Sequence, residues 1–294
     1  MPTRGTEGLN EKAKGLDTLA SADILALLGS AQQEAARAVD AAREAIAQAS
    51  EIAAATISAD GKLIYAGAGS SGLMAMADAL ELPGTYGIAN DRIVILLAGG
   101  AADLLDLKGA PEDDVQQARA DATRHIAAGD CVIAVSASGE TPYAVAVAEV
   151  AKSQGAKVVA IANNAGARLF DGADVAILLE TPPEMVSGST RMGAGTAQKI
   201  ALNMFSTLMA IRLGHVHDVN LRADNRKLKG RAARIVADIA QVGMETAGHL
   251  VDAASGSVKT AILLAAGAKD KSSAEALLRE SGHNVRRALG KVGR

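Results

Sequence analysis

The chain has 294 residues, of which 49% are hydrophobic and 21% charged, so it can bury a large core and its composition argues against extensive disorder. Its 2% aromatic content argues against single-stranded nucleic-acid binding, which needs stacking platforms, and its net charge of −3 gives no general attraction to nucleic acid or anionic membrane. The single cysteine, Cys131, excludes a disulfide framework within one chain. The polar N-terminus predicts no signal peptide, and no run of about 18 apolar residues predicts a membrane-spanning helix.

The first 56 residues are predicted to form a polar arm followed by helices. Residues 1–20 are polar and contain glycines, which predicts an arm. Ser21 is a suitable helix N-cap, and residues 22–56 are rich in Ala, Glu, Arg and Gln. This composition predicts one long helical stretch, or two helices separated near Gly29 and Ser30.

Short apolar runs in the middle of the chain predict five β-strands. They lie at residues 62–66, 93–97, 131–135, 157–161 and 174–178. Each run is about five residues long and apolar throughout, which is typical of strands covered on both faces of a parallel sheet. Helix-forming stretches, notably residues 71–81, 112–127 and 142–154, separate these runs. The alternation predicts a doubly wound α/β sheet with right-handed crossovers.

The chain after residue 190 is predicted to be helical. A helical pattern at residues 190–213 ends at Gly214, and residues 224–294 are helical throughout. Two similar segments at residues 253–262 and 280–289 each place a Ser-Gly turn before a helix. These segments predict a small helical bundle.

Small and hydroxyl-bearing residues follow the predicted strands. These loops lie at residues 67–72, 98–100, 136–141, 163–166 and 187–191. Ligands of open parallel sheets bind outside the carboxyl ends of the strands. Glycines let the backbone approach a ligand, hydroxyls and helix N-terminal amides donate to phosphate oxygens, and Arg191 can add a charge-assisted contact. The sequence therefore predicts a site for a phosphorylated ligand at this sheet edge.

Residues 67–72 also match the dinucleotide-binding pattern G-x-G-x-x-G. That pattern needs an acidic residue about 20 positions later, at the end of the second strand, to hold the ribose. Here the second strand ends in Ala98, Gly99 and Gly100, with no acid. The paired Ser70 and Ser71 favour a compact phosphate over a nucleotide.

The loop motifs belong to longer segments that run over most of the chain. The segments are residues 6–10, 15–19, 61–72, 81–87, 136–143, 187–199 and 219–228. Together they resemble the sugar isomerase (SIS) domain. More narrowly, they resemble the N-acetylmuramic acid 6-phosphate etherase family and the related glucokinase regulatory proteins. The last segment and the helical tail are specific to this etherase-like group.

The resemblance implies a fold, a domain organisation and an assembly. The fold is a three-layer αβα SIS domain with a five-stranded parallel sheet at residues 57–218. An N-terminal arm and helices at residues 1–56 precede it, and a small C-terminal helical domain at residues 219–294 follows. The resemblance further implies a cytoplasmic homodimer with a shared site, a small sugar phosphate as ligand, and neither metal nor other cofactor. Neither nucleic acid nor membrane is an expected partner.

The resemblance also implies a carbon–oxygen lyase that acts in peptidoglycan recycling. Such an enzyme cleaves the D-lactyl ether of N-acetylmuramic acid 6-phosphate to N-acetylglucosamine 6-phosphate and D-lactate. In the open-chain sugar the C1 aldehyde acidifies the C2 proton, which a base removes. An acid protonates the departing ether oxygen, and water then adds at C3. Two carboxyl groups in opposite protonation states suit this elimination and hydration.

The family motifs assign the expected site residues in this sequence. The acid maps to Glu81 and the base to Glu112, with Asp113 as the alternative because Pro111 is an additional residue in that motif. The expected sugar-phosphate ligands are Gly69, Ser70, Ser71, Ser136, Ser138, Gly139, Thr141, Glu184, Ser189 and Arg191. A helix over residues 71–81 spans roughly 15 Å, which separates Glu81 from its own glycine loop and favours a site shared between subunits.

Two positions lack cations that the family pattern carries. Leu73 stands where the family has Arg, and Gly193 stands where it has Lys. The loss keeps open a non-catalytic phosphosugar-binding regulator, and an SIS-type sugar-phosphate isomerase is a third interpretation. The pair of glutamates and the etherase-specific tail favour the lyase.

Overall fold

The computed structural model describes residues 5–100, 104, 109–214 and 226–293. The chain divides into two compact units, one of Met1–Ala79 and Asp91–Ser206 and the other of Leu80–Asn90 and Thr207–Arg294. The predicted domain boundary after residue 56 stays a prediction. The boundary after residue 218 and most of the motif at residues 219–228 lie outside the described residues.

The first unit contains a five-stranded parallel sheet, which confirms the predicted α/β class. The strands are β1 Leu63–Gly67, β2 Ile93–Leu97, β3 Cys131–Val135, β4 Lys157–Ala162 and β5 Val175–Leu178, in the order β2-β1-β3-β4-β5. All neighbouring pairs are parallel. Since β1 lies between β2 and β3, the chain reverses its direction across the sheet there. Doubly wound sheets bind ligands at this switch point, outside the carboxyl ends of the strands.

Helices flank the strands in chain order. They are α1 Ser21–Arg37, α2 Arg43–Ser58, α3 Gly69–Tyr86, α4 Val115–His125, α5 Pro142–Ser153 and α6 Gly193–Arg212. Helices α3 and α6 begin in the first unit and end in the second. The core on one face of the sheet joins residues of β1 and β3, such as Ile64 and Val132, to Tyr143 and Val147 of α5.

The predicted helix break near Gly29 is wrong. Helix α1 runs through Gly29, where an added Cβ would meet nothing within 4 Å, so the glycine lies on an open helix face and is tolerated. The break lies instead at Ala38–Ala42, a 3₁₀ segment. Burial of Val39 and Ala42 accompanies this tighter winding.

The segment before α1 is wound into short turns. It contains 3₁₀ turns at Gly5–Glu7, Glu11–Ala13 and Leu16–Thr18. Thr6 is fully buried, whereas the neighbouring Gly5 and Glu7 are exposed. This part of the predicted arm is therefore packed into the first unit.

The second unit is helical, as predicted. Its further helices are α7 Arg226–Ala240, α8 Met244–Ala253, α9 Val258–Ala265, α10 Lys271–Glu280 and α11 Val285–Leu289. The two similar sequence segments have the same backbone course. Two consecutive residues of positive φ, Ser255 and Gly256 in one and Gly282 and His283 in the other, end a helix. The next residue, Ser257 or Asn284, then caps the following helix with its side chain.

No helix in the described part of the chain is long and apolar enough to cross a membrane.

Candidate functional site

The turn from β1 into α3 brings the backbone of two glycines together. A Cβ at Gly67 would lie 2.9 Å from the Cα of Gly72, and a Cβ at Gly72 would lie 2.4 Å from a methyl group of Leu97. Only glycine fits at either position without a shift of its neighbours. This close packing starts α3 directly at the end of β1, where the backbone N–H groups of its first turn can bind an anion.

The loop after β3 is held by its own hydroxyl groups. Ser136 Oγ accepts a hydrogen bond from the Gly139 backbone N–H at 3.0 Å and lies 2.8 Å from Thr141 Oγ1. Ser138 Oγ accepts from the Glu140 backbone N–H at 3.1 Å. These bonds place three hydroxyl groups within six residues at the start of α5, an arrangement suited to a phosphate or a sugar hydroxyl.

Gly139 is required in this loop for two reasons. Its φ of +72° lies in the left-handed region, which favours glycine. A Cβ at this position would also lie 2.2 Å from the Cβ of Ala167. Any side chain here would push the loop away from the segment after β4.

The two loops meet across the switch point of the sheet. Gly67 of β1 pairs with Val135 of β3, so the segments that follow them start side by side. The Ala137 backbone N–H donates to Ser71 Oγ at 3.2 Å. The structure therefore brings together the predicted ligands of both loops. Ser71 is buried and supports the neighbouring loop, whereas Ser70 is half-buried at the start of α3.

The carboxylate of Glu112 lies against the start of α3. A Cβ at Gly69, whose φ is +50°, would be 2.7 Å from Glu112 Oε1. Burial raises the pKa of the Glu112 carboxyl above its usual value, and the negative charge of Asp113 raises it further. Asp113, the alternative base, is exposed. A partly buried carboxyl with a raised pKa, beside a helix N-terminus, is suited to proton transfer.

Glu184 caps helix α6. Its side chain is buried, and its two oxygens accept hydrogen bonds from the backbone N–H groups of Gly193 and Ala194, each at 2.9 Å. A carboxylate in this position stabilises the helix N-terminus. The predicted contact of Glu184 with the sugar stays a prediction. Ser189 is half-buried and Arg191 exposed in the turn that leads into α6.

Glu81 lies on α3, in the part of the helix that belongs to the second unit. It follows Gly69 by twelve residues of one continuous helix, about 18 Å at 1.5 Å per residue. Its side chain is exposed. The helix is longer than the predicted span of residues 71–81, so the separation of Glu81 from the start of its own helix is larger than expected.

Three buried amide side chains, Asn163 and Asn164 after β4 and Gln198 in α6, were not among the predicted site residues. Asn164 exchanges two hydrogen bonds with Thr6, and its Nδ2 also donates to the Ser138 carbonyl at 3.3 Å. Gln198 Nε2 donates to Asn163 Oδ1 at 2.9 Å, while Gln198 Oε1 has no hydrogen-bond partner in the described part of the chain. Asn163 and Asn164 lie in the predicted loop after the fourth strand, and this position at the end of a strand was the feature of the sequence that could have indicated them as site residues.

Comparisons with known proteins connect this geometry to a family. The SIS domain model matches residues 28–163. An N-acetylmuramic acid 6-phosphate etherase of Deinococcus radiodurans is 39% identical, over 98% of this chain and 95% of that protein. Another of Mycolicibacterium smegmatis is 38% identical, over 97% of each chain. A solved structure of a protein from E. coli CFT073 has a TM-score of 0.50 at 17% identity, over 66% of this chain and 93% of that chain, and supports the fold alone.

Proposed function

Since this chain belongs to the N-acetylmuramic acid 6-phosphate etherase family, we propose that it is a carbon–oxygen lyase that cleaves the D-lactyl ether of N-acetylmuramic acid 6-phosphate. The products are N-acetylglucosamine 6-phosphate and D-lactate. The observation that carries this proposal is the position of the Glu112 carboxylate against Gly69, at the start of α3. This position puts a group capable of proton transfer beside the backbone suited to the sugar phosphate.

The phosphate is held by the first turn of α3 and the hydroxyl loop after β3. The N–H groups of the helix start and the hydroxyls of Ser70, Ser136, Ser138 and Thr141 are its donors. Because Ser136 is already hydrogen-bonded to Gly139 and lies 2.8 Å from Thr141 Oγ1, its hydroxyl is oriented before the ligand arrives. Arg191 and Ser189, in the turn before α6, are further candidate ligands.

Glu112 acts as the base that removes the C2 proton of the open-chain sugar. A carboxylate of ordinary pKa is a weak base at neutral pH, and the raised pKa of Glu112 makes its proton affinity better matched to this step. The C1 aldehyde stabilises the carbanion, and lactate leaves from C3 with a proton from an acid. Water then adds at C3, and Glu112 delivers to C2 a proton that has exchanged with solvent.

Glu81 is the acid, and it acts in the site of a second copy of the chain. Its position about 18 Å along α3 from Gly69 supports a homodimer in which each site combines Glu112 of one subunit with Glu81 of the other. Family membership further supports a cytoplasmic enzyme of peptidoglycan recycling.

The shared site is tested by mixing two inactive variants, Glu81→Gln and Glu112→Gln. Random reassortment of the subunits gives half heterodimers, each with one site that has both glutamates. The mixture is expected to recover about a quarter of the wild-type rate of D-lactate release. A chain that carries both substitutions, mixed with wild type, is the control for reassortment. A mixture that stays inactive after proven exchange of subunits contradicts the shared site.

The regulator and isomerase alternatives are tested by the products. Incubation with N-acetylmuramic acid 6-phosphate is expected to release D-lactate and N-acetylglucosamine 6-phosphate in equal amounts. This test is necessary because Leu73 and Gly193 stand where the family pattern has an arginine and a lysine, and the loss of these cations could change the substrate or the reaction. At Gly193 the structure leaves little room, since an added Cβ would lie 3.2 Å from Glu184 Oε2 and 3.3 Å from Ala35 Cβ. Tight sugar-phosphate binding without lactate release contradicts the lyase proposal.

A further inference from the structure

The segment of residues 5–10, which we call the strap, is fastened to the loops after β4 and β5. The Thr6 backbone N–H donates to Asn164 Oδ1 at 3.1 Å, and Asn164 Nδ2 donates to Thr6 Oγ1 at 2.8 Å. Asn10 Nδ2 donates to the Pro183 carbonyl at 2.8 Å. Thr6 is fully buried and Asn164 is 4% exposed, so water does not compete for the paired bonds.

The strap fits closely against the surface that it covers. A Cβ at Gly5 would lie 3.4 Å from Asn164 Oδ1 and 3.4 Å from the Thr181 carbonyl. A Cβ at Gly8 would lie 3.0 Å from Pro183 Cγ. The contacts at Gly5 are ordinary van der Waals distances, whereas the contact at Gly8 is tight, so the absence of a side chain at Gly8 lets the strap lie close to Pro183.

The bonds of Asn164 extend from the strap to the hydroxyl loop. Besides Thr6, Asn164 Nδ2 contacts the Ser138 carbonyl at 3.3 Å. The N–H of the same peptide unit belongs to Gly139 and donates to Ser136 Oγ at 3.0 Å. The peptide between Ser138 and Gly139 is thus held at both ends, by Asn164 on its carbonyl and by Ser136 on its N–H. Rotation of this peptide would break the hydrogen bond from the Gly139 N–H to Ser136 Oγ.

We propose that Thr6 is a positioning residue for sugar-phosphate binding, which it supports through Asn164 and the Ser138–Gly139 peptide. The inference rests on the proposed function, because it assigns the hydroxyl loop to the phosphosugar. Thr6 itself touches no reacting atom. Its hydroxyl fixes the orientation of the Asn164 amide, and the amide fixes the loop that binds the ligand.

The test measures binding of N-acetylglucosamine 6-phosphate, by calorimetry, to four forms of the full chain. Thr6→Val keeps the shape and the backbone N–H but removes the acceptor for Asn164, and is expected to weaken binding about tenfold. Thr6→Ser keeps the acceptor and is expected to bind within about twofold of wild type. The matched control is Thr18→Val, because the Thr18 hydroxyl is exposed and donates to the Gly15 carbonyl of its own turn. It is expected to bind as wild type does.

Hydrogen exchange gives a second readout. If Thr6 only stabilised the fold, its loss would speed amide exchange in many parts of the chain, whereas a positioning role predicts a change in the hydroxyl loop. Thr6→Val is expected to speed exchange of the Gly139 amide while the strands keep wild-type protection. If Thr6→Val does not fold, Thr6→Ala decides, because it also removes the acceptor for Asn164 Nδ2 and adds no charge. It is expected to give the same loss of binding.

Binding and turnover separate the two proposals. If Thr6→Val binds as tightly as wild type, or Thr6→Ser as weakly as Thr6→Val, the positioning role is wrong even when wild type releases lactate. If wild type releases no lactate but Thr6→Val still weakens binding, the positioning role stands and the lyase proposal falls. A wild-type chain that binds no sugar phosphate overturns both.

Discussion

Replacement of Gly69 by alanine tests whether the Glu112 carboxylate must lie against the start of α3. The new methyl group would be 2.7 Å from Glu112 Oε1, and an ordinary contact of 3.4 Å requires the carboxylate to shift by about 0.7 Å. Because a misplacement of about 1 Å can cost about 100-fold in rate, we expect kcat/KM for lactate release to fall about 10- to 100-fold. The left-handed backbone, with φ at +50°, adds a cost of about 1–2 kcal/mol to folding.

The assay pairs lactate release with urea unfolding, and the control is Gly84→Ala in the same helix. An added Cβ at Gly84 meets nothing within 4 Å, so this change is expected to stabilise the chain by about 0.5–1 kcal/mol and leave the rate unchanged. A Gly69→Ala variant that loses stability but turns over at the wild-type rate would refute the placement of Glu112 as the base.

Three further predictions follow from the carboxyl groups of the first unit. Asp113→Asn removes a charge that raises the pKa of Glu112, so the acid limb of kcat/KM for lactate release is expected to move to lower pH. Because the pKa of Glu112 is raised in the folded chain, its ionisation lowers stability as pH rises through that pKa, so Glu112→Gln is expected to match or exceed wild-type stability in urea at neutral pH. The same variant lacks the base, so its kcat is expected to fall about 10²- to 10⁴-fold. Glu184→Gln leaves one oxygen for two backbone N–H groups and is expected to cost about 1–3 kcal/mol in the same unfolding assay.

The strands could be predicted closely from the sequence. The bounds of β2 and β3 agree with the predicted runs, those of β4 and β5 differ by one residue at one end, and β1 is shifted by one residue at both ends. Five-residue runs of buried apolar side chains, separated by helix-forming stretches, leave few alternatives to a parallel sheet. The meeting of the loops after β1 and β3 was also predictable, because the carboxyl ends of neighbouring parallel strands lie at the same edge of the sheet.

Contacts between distant parts of the chain could not be predicted in this way. The burial of Thr6 depends on Asn164, which is 158 residues away, and a polar stretch rich in glycine gives no local sign of it. The contact of Glu112 with Gly69 and the capping of α6 by Glu184 likewise depend on where loops return to the sheet. The helix break was misplaced because Gly29 lowers helix propensity locally, whereas packing of Val39 and Ala42 accompanies the break that forms.

The most direct test of the proposed reaction is turnover of N-acetylmuramic acid 6-phosphate in D₂O, with D-lactate measured and the sugar product examined by NMR. Elimination and hydration through a base at C2 predict one D-lactate per N-acetylglucosamine 6-phosphate, with deuterium at C2 of that product, and predict that Glu112→Gln forms neither at a comparable rate. Absence of lactate, or lactate release with hydrogen retained at C2, would contradict the proposed reaction.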